Sequence, residues 1–142
     1  MILRPFVEGD VDTYAEMLQT PEVRASLHLP DDVGREQAWN GIASWLGQWE
    51  LRGTGQWAVV ERSTGEFAGR AGMHWPERAD WPGIEIGWAF HPRTWGKGYA
   101  NGVRLELCAF RRVFRRQTRE VRSRATAPGR LAAGGDVQVI GD

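Results

Sequence analysis

The segment from Gly83 to Ala100 constrains this chain more than any other. In Gly83-Ile84-Glu85-Ile86-Gly87-Trp88-Ala89-Phe90, the residues Ile84, Ile86, Trp88 and Phe90 alternate onto one face, which is the period of a strand. His91-Pro92-Arg93-Thr94 stops the strand, since proline has no N–H to give a ladder. Trp95-Gly96-Lys97-Gly98-Tyr99-Ala100 comes next, and behind it Ala100, Val103, Leu107, Phe110 and Phe114 recur at helical spacing. The unit is strand, glycine loop, helix.

A turn that opens a helix exposes backbone N–H groups with no intrahelical acceptor, and the helix dipole adds partial positive charge there. Glycine at 96 and 98 lets an anion approach the backbone, and Lys97 adds a point charge nearby, so the loop reads as a phosphate site. It is not a Walker A loop, because Gly98 stands where Ser or Thr must follow the lysine. It is not the dinucleotide fingerprint either: the strands before it come as hairpins, and Asn101 stands where the third glycine would fall. A pyrophosphate ligand other than a nucleoside triphosphate or a dinucleotide is favoured.

Upstream, Ile2-Leu3-Arg4-Pro5-Phe6 reads as a short strand. Asp10 is the expected N-cap of a helix carrying Val11, Tyr14, Ala15 and Leu18 on one stripe. After a break at residues 30–34, Trp39, Ile42, Trp45, Leu46 and Trp49 mark a second helix whose three indoles are expected in the core, with a share in walling an acceptor pocket as the functional alternative. Residues 56–62 and 67–75 form the two strands of a hairpin around Ser63-Thr64-Gly65-Glu66, and residues 76–82 form a loop. Near the end, Val121, Ser123 and Ala125 alternate against Arg122, Arg124 and Thr126, which suggests one more strand before a loose tail.

With 142 residues, 42% of them apolar, the chain has the size of one domain with one core. No apolar run is long enough to span a bilayer, and a charged residue at position 4 speaks against a secretory leader, so a cytoplasmic, non-membrane protein is expected. Cys108 is the only cysteine; without a CxxC or Cys/His cluster it points to a buried structural thiol, with no disulfide and no metal site. His74 and His91 read as ordinary packed or surface histidines. Zero net charge conceals an asymmetry: residues 1–100 hold 9 basic and 14 acidic side chains, residues 101–142 hold 9 and 4, and eight arginines fall between Arg111 and Arg130. That cluster reads as a solvated helix face, and nucleic-acid binding is the lesser alternative.

Leu3-Arg4-Pro5, Glu85-Ile86-Gly87-Trp88, Pro92 and Trp95-Gly96-Lys97-Gly98-Tyr99-Ala100, in this order, resemble the GNAT N-acetyltransferase superfamily, most closely the branch with ribosomal-protein N-terminal acetyltransferases. The resemblance implies an α+β fold: a mixed, mostly antiparallel central sheet flanked by helices, in a single domain over 1–142. Residues 1–115 match well, and 116–142 form a divergent tail. It implies that Trp95, Gly96, Lys97, Gly98, Tyr99 and Ala100 wrap the pyrophosphate of acetyl-CoA, while Trp88, Ala89 and Phe90 pair their backbone with the pantetheine arm and offer an N–H to the thioester oxygen. Glu85 becomes the candidate general base, its alternative being a solvated or ion-paired strand glutamate. The acceptor is a primary amine, on a small molecule or a protein N-terminus. No metal is implied.

Beyond Ala100 the chain departs from the family. Asn101-Gly102 replaces the usual Thr-Glu, Arg130-Leu131-Ala132-Ala133 stands where an Asn-x-x-Ser is common, and the further helix and strand of such domains do not follow. An in-frame divergence and a reading-frame change both fit. An uncovered sheet edge would favour self-association, so a homodimer is an expectation. The tyrosine that often serves as general acid has no match: only Tyr14 and Tyr99 are present, and Tyr99 belongs to the loop. A catalytically silent acyl-CoA-binding protein is therefore the alternative to an acetyltransferase.

Overall fold

A computed structural model describes residues 1–75, 84–103, 105, 107 and 139–140. The chain begins with β1 (Ile2–Arg4) and three helices, α1 (Asp10–Gln19), α2 (Pro21–Leu27) and α3 (Arg35–Arg52). There follow β2 (Gly55–Val60), β3 (Phe67–His74), β4 (Glu85–Phe90), a 3-10 turn (Pro92–Thr94), a helix α4 described at 99–103, 105 and 107, and β5 (Val139–Ile140). The strands lie in the order β1-β2-β3-β4-β5; the first three pairings are antiparallel and β4 with β5 is parallel. This is the mixed, mostly antiparallel α+β fold expected.

The sheet is covered on both faces. On one, Phe6, Val11, Tyr14, Met17, Leu18 and Ile42 pack with Ala58, Phe67 and Ala89 beneath α1, α2 and α3. On the other, Val59, Ala71, Met73, Ile86, Trp88 and Phe90 pack against Val103 and Leu107 of α4. The alternation in β4 thus sends Ile86, Trp88 and Phe90 to α4 and Ala89 to the three helices. Between β2 and β3, a Cβ at Gly72 would collide with the Gly55 carbonyl, so the close approach of these strands requires glycine there.

The helix boundaries differ from expectation in instructive ways. Asp10 is the first residue of α1 rather than its cap. Its carboxylate turns back to accept the Val7 N–H at 2.9 Å and both ends of the Arg4 guanidinium at 2.7 Å. The Leu-Arg-Pro start has a physical reason here, since Arg4 neutralises a carboxylate only 5% exposed, and Asp10 in turn raises the Arg4 pKa.

α2 was not expected at all. Thr20 takes the extended conformation that the residue before a proline prefers, Pro21 opens the helix, and His28 closes it in the left-handed region (φ 53°).

The three-indole stripe of α3 is a correction. Only Ala38 and Ile42 are buried on this helix; Trp39 is 48% exposed and Leu46 40%. Trp45 does reach the core, with ring centroids 5.5 Å from Phe6 and 5.7 Å from Tyr14. Trp49 lies instead at the stretch of β2 that β1 leaves unpaired, donating Nε1–H to the Gln56 carbonyl at 3.1 Å and packing against Trp57 in a tilted contact with ring centroids 4.5 Å apart. Phe110, Phe114, Cys108, the arginine cluster at 111–130, the expected strand at 121–126 and the loop at 76–82 lie outside the described residues. The fifth strand falls at Val139–Ile140, where no strand was expected.

Replacing Arg4 by Ala leaves the Asp10 carboxylate with one backbone donor. Because Arg4 is one-third exposed, the loss should be smaller than for a fully buried pair, about 2–3 kcal/mol. A urea titration should show the midpoint falling with the slope unchanged, and Arg4→Lys should recover part of it.

Candidate active site

At the C-terminal end of β4 the chain passes through Pro92–Thr94 into the glycine loop. Gly96 and Gly98 have φ of 76° and 77°, the left-handed region in which a side chain is strained. A Cβ at either would meet no atom within 4 Å, so backbone conformation rather than crowding selects glycine. The first intrahelical bond of α4 runs from the Gly102 N–H to the Gly98 carbonyl at 3.1 Å, which leaves the N–H groups of Tyr99, Ala100 and Asn101 without a helical acceptor.

Among the described residues, the outer edge of β4 is partly open. The His91 N–H donates to the Ala68 carbonyl at 2.9 Å. By the alternation of an antiparallel ladder, residues 91, 89 and 87 then turn their polar groups to β3, and Trp88 and Phe90 turn theirs to the opposite edge. There β5 reaches only Ile86 and Gly87 among the described residues. The Phe90 carbonyl is taken by the Trp95 indole N–H at 2.9 Å, which folds the loop's first residue back onto the strand end.

A cavity of about 470 Å³ lies between this edge and the loop. It is lined by Trp88, Ala89 and Phe90 of β4, by Thr94, Trp95, Gly96, Gly98, Tyr99, Ala100 and Asn101, and by Val23 and Ser26 of α2. That volume is within the range of small-molecule sites. Eight of the nine residues expected around the coenzyme line it. Lys97 does not: its ammonium donates to Glu61 Oε1 at 2.7 Å, and the Tyr99 hydroxyl donates to the same oxygen at 3.0 Å. The hydrogen bonds from Lys97 and Tyr99 hold the Glu61 carboxyl below the usual carboxylate range, and Glu61 in turn raises the Lys97 pKa. The positive charge expected at the phosphates is thus already paired. Val23 and Ser26 were missed along with α2; the Thr20-Pro21 step was the available signal.

Glu85, the expected base, does not line the cavity. It starts β4 on the α1–α3 side, 14% exposed, with Oε1 3.9 Å from His74 Nε2. The other ring nitrogen of His74 lies 3.3 Å from the Gln56 amide nitrogen, Gln56 Oε1 accepts from Arg70 at 3.2 Å, and Arg70 also donates to the Tyr14 hydroxyl at 3.1 Å. Five polar side chains from α1, β2, β3 and β4 form one row. His74 is thus a packed histidine, one of the two expected alternatives, and a member of the row. His91 accepts the Arg93 N–H on Nδ1 at 3.3 Å, and burial, aided by Arg93, lowers its pKa, keeping the ring neutral. Among the described residues, no three His, Cys, Asp or Glu side chains are grouped to hold a metal, and no helix is long and apolar enough to cross a membrane.

The model of the acetyltransferase (GNAT) domain family matches residues 1–126. Among solved structures, a protein described as a GnaT-family acetyltransferase from Bordetella pertussis is 24% identical, with a TM-score of 0.63 over 77% of this chain and 66% of that one. An acetyltransferase from Agrobacterium tumefaciens strain C58 is 27% identical, with a TM-score of 0.65 over 76% of this chain and 60% of that one. The chain thus spans somewhat under two thirds of the length of these relatives. A family match over most of the chain, on a sheet whose fourth strand opens beside a helix-initiating glycine loop, places this protein in the GNAT acetyltransferase domain family.

Proposed function

We propose that this chain binds acetyl-CoA in the 470 Å³ cavity and transfers the acetyl group to a primary amine on a small molecule or a protein N-terminus. The observation that carries the reading is the open edge of β4 running directly into a helix-initiating glycine loop. A linear amide-containing arm can pair with Trp88 and Phe90 as an added strand, while a pyrophosphate meets the unpaired N–H groups at the start of α4. The residues present suit such a co-substrate: two positive-φ glycines admit the anion and the β4 backbone offers donors and an acceptor. The co-substrate supplies an activated acetyl group; the protein supplies position, polarisation and proton removal.

An alkylamine with a pKa of about 10.4 is only about 0.04% neutral at pH 7, so a base that takes its proton is needed. Glu85 is the proposed base. It lies five residues from Phe90, about 17 Å up the strand at roughly 3.4 Å per residue, on the side away from the phosphate loop. A Cβ at Gly87 would sit 3.6 Å from Glu85 Oε1, 3.7 Å from the Gln56 amide nitrogen and 3.9 Å from Arg70. The missing side chain leaves space over Gly87 for a water linking the amine to Glu85. As the new N–C bond forms and the C–S bond breaks, the Trp88 or Phe90 N–H polarises the carbonyl oxygen. Both tyrosines are engaged elsewhere, Tyr14 with Arg70 and Tyr99 with Glu61, so neither is assigned to protonating the leaving thiolate.

Isothermal titration with acetyl-CoA should give micromolar binding that Gly98→Trp abolishes, while the far-ultraviolet circular dichroism of the variant stays native; no binding by the native protein sinks the proposal. Binding without thiol release across a panel of amines would support a silent acyl-CoA-binding protein instead. With an accepted amine, Glu85→Gln should lower kcat by about 10²- to 10⁴-fold at pH 7 and leave acetyl-CoA affinity unchanged. The deficit should shrink as pH rises toward the amine's pKa, where the acceptor deprotonates unaided. A deficit independent of pH would remove Glu85 from the role of base.

A further inference from the structure

The ion pair beneath the glycine loop belongs to neither the coenzyme-lining surface nor the acceptor side. Glu61 follows the last residue of β2 and opens the β2–β3 turn, where its backbone is pinned twice: its N–H donates to the Glu66 carbonyl at 2.9 Å, and its carbonyl accepts the Gly65 N–H at 2.8 Å. Its side chain is 14% exposed, against 49% for Lys97. One carboxylate oxygen holds Lys97 at 2.7 Å and Tyr99 at 3.0 Å, the two residues that flank the left-handed Gly98.

From this geometry we infer that Glu61 is a positioning residue for coenzyme binding. Through Lys97 and Tyr99 it clamps both sides of Gly98 to a rigid hairpin, so that the anion-binding turn is formed before the ligand arrives. The inference rests on the coenzyme reading above and assigns Lys97 to the clamp rather than to the phosphates. A loop with glycine at 96 and 98 is otherwise free to sample many conformations, and the cost of ordering it would be subtracted from affinity at each binding event. Glu61 lowers that cost because its backbone is pinned at the start of the β2–β3 turn. It also neutralises the loop's single lysine, leaving backbone N–H groups and the helix dipole to hold the anion.

A double-variant cycle read by titration with coenzyme A tests this. Glu61→Ala and Lys97→Met should each weaken binding by about tenfold, and the double variant should be no weaker than the worse single, because both break one clamp. The dependence of affinity on salt should be the same in Lys97→Met as in the native protein, since the lysine charge does not face the phosphates. Tighter binding in Glu61→Ala, strictly additive losses, or a shallower salt dependence in Lys97→Met would each overturn the assignment and make Lys97 a phosphate ligand. If Glu61→Ala melts well below the native protein, Glu61→Gln, which keeps shape and an acceptor for Tyr99, should still weaken binding; unchanged affinity there overturns the inference. A native protein without affinity for coenzyme A sinks both readings, whereas native binding with unaltered variants sinks only this one.

Discussion

The architecture depends on how the backbone polar groups along the outer edge of β4 are shared out. Each buried N–H and C=O needs a partner, and a neighbouring strand running the full length of β4 would satisfy all of them and leave no site. Here β5 pairs with Ile86 and Gly87, the Trp95 indole takes the Phe90 carbonyl, and the groups between face the cavity. Among the described residues this leaves part of the sheet edge open beside the cavity, as the proposed binding of a linear, polar arm requires. Because both faces of β4 are covered, Ile86, Trp88 and Phe90 by α4 and Ala89 by α1–α3, the strand cannot tilt to close the gap without exposing apolar surface.

The glycine loop, as the proposed anion end, follows a related logic. A lysine beside a phosphate loop suggests a point charge for the ligand, but an exposed ammonium is strongly hydrated and flexible. Here it is spent on Glu61, and Gly96 and Gly98 instead aim fixed backbone dipoles. Fixed dipoles need no reorganisation when the ligand binds, whereas a free lysine must be ordered each time. On the proposed reading, that preference accounts for a loop anchored to the β2–β3 hairpin, 36 residues away in sequence, and not only to its own helix.

What the sequence revealed and what it hid divide along the range of the interactions. The alternation in β4, the hairpin turn at 63–66 and the glycine loop are local, and each appears where its residues place it. Local reading failed where a distant partner decided the outcome. Asp10 looks like a helix cap until Arg4 is seen to claim its carboxylate. The α3 indoles look equivalent on a helical wheel, yet Trp45 meets Phe6 and Tyr14 while Trp39 stands about half exposed. Lys97 shows the same limit, since nothing near it in sequence announces Glu61. α2 was hidden for another reason: at seven residues with Val23 alone buried, it has too little periodicity to register.

The polar row under α1 and α3 shows how a glutamate with the sequence appearance of a solvated strand residue is held in place. Arg70 is its centre, with its guanidinium 5.1 Å from the centroid of the Trp45 ring and donating to both Tyr14 and Gln56. A half-buried guanidinium is best accommodated with such partners, and each partner is thereby oriented. The Tyr14 hydroxyl is held as an acceptor, although burial raises its pKa. The Gln56 amide, with its oxygen claimed by Arg70, must present its nitrogen to His74, which sets the ring so that its other nitrogen faces Glu85. From Arg70 outward each position follows from the last: Arg70 orients Gln56, Gln56 orients His74, and His74 faces the Glu85 carboxylate. Gly87 lies beside the same row, since a Cβ there would be in van der Waals contact with Glu85, Gln56 and Arg70.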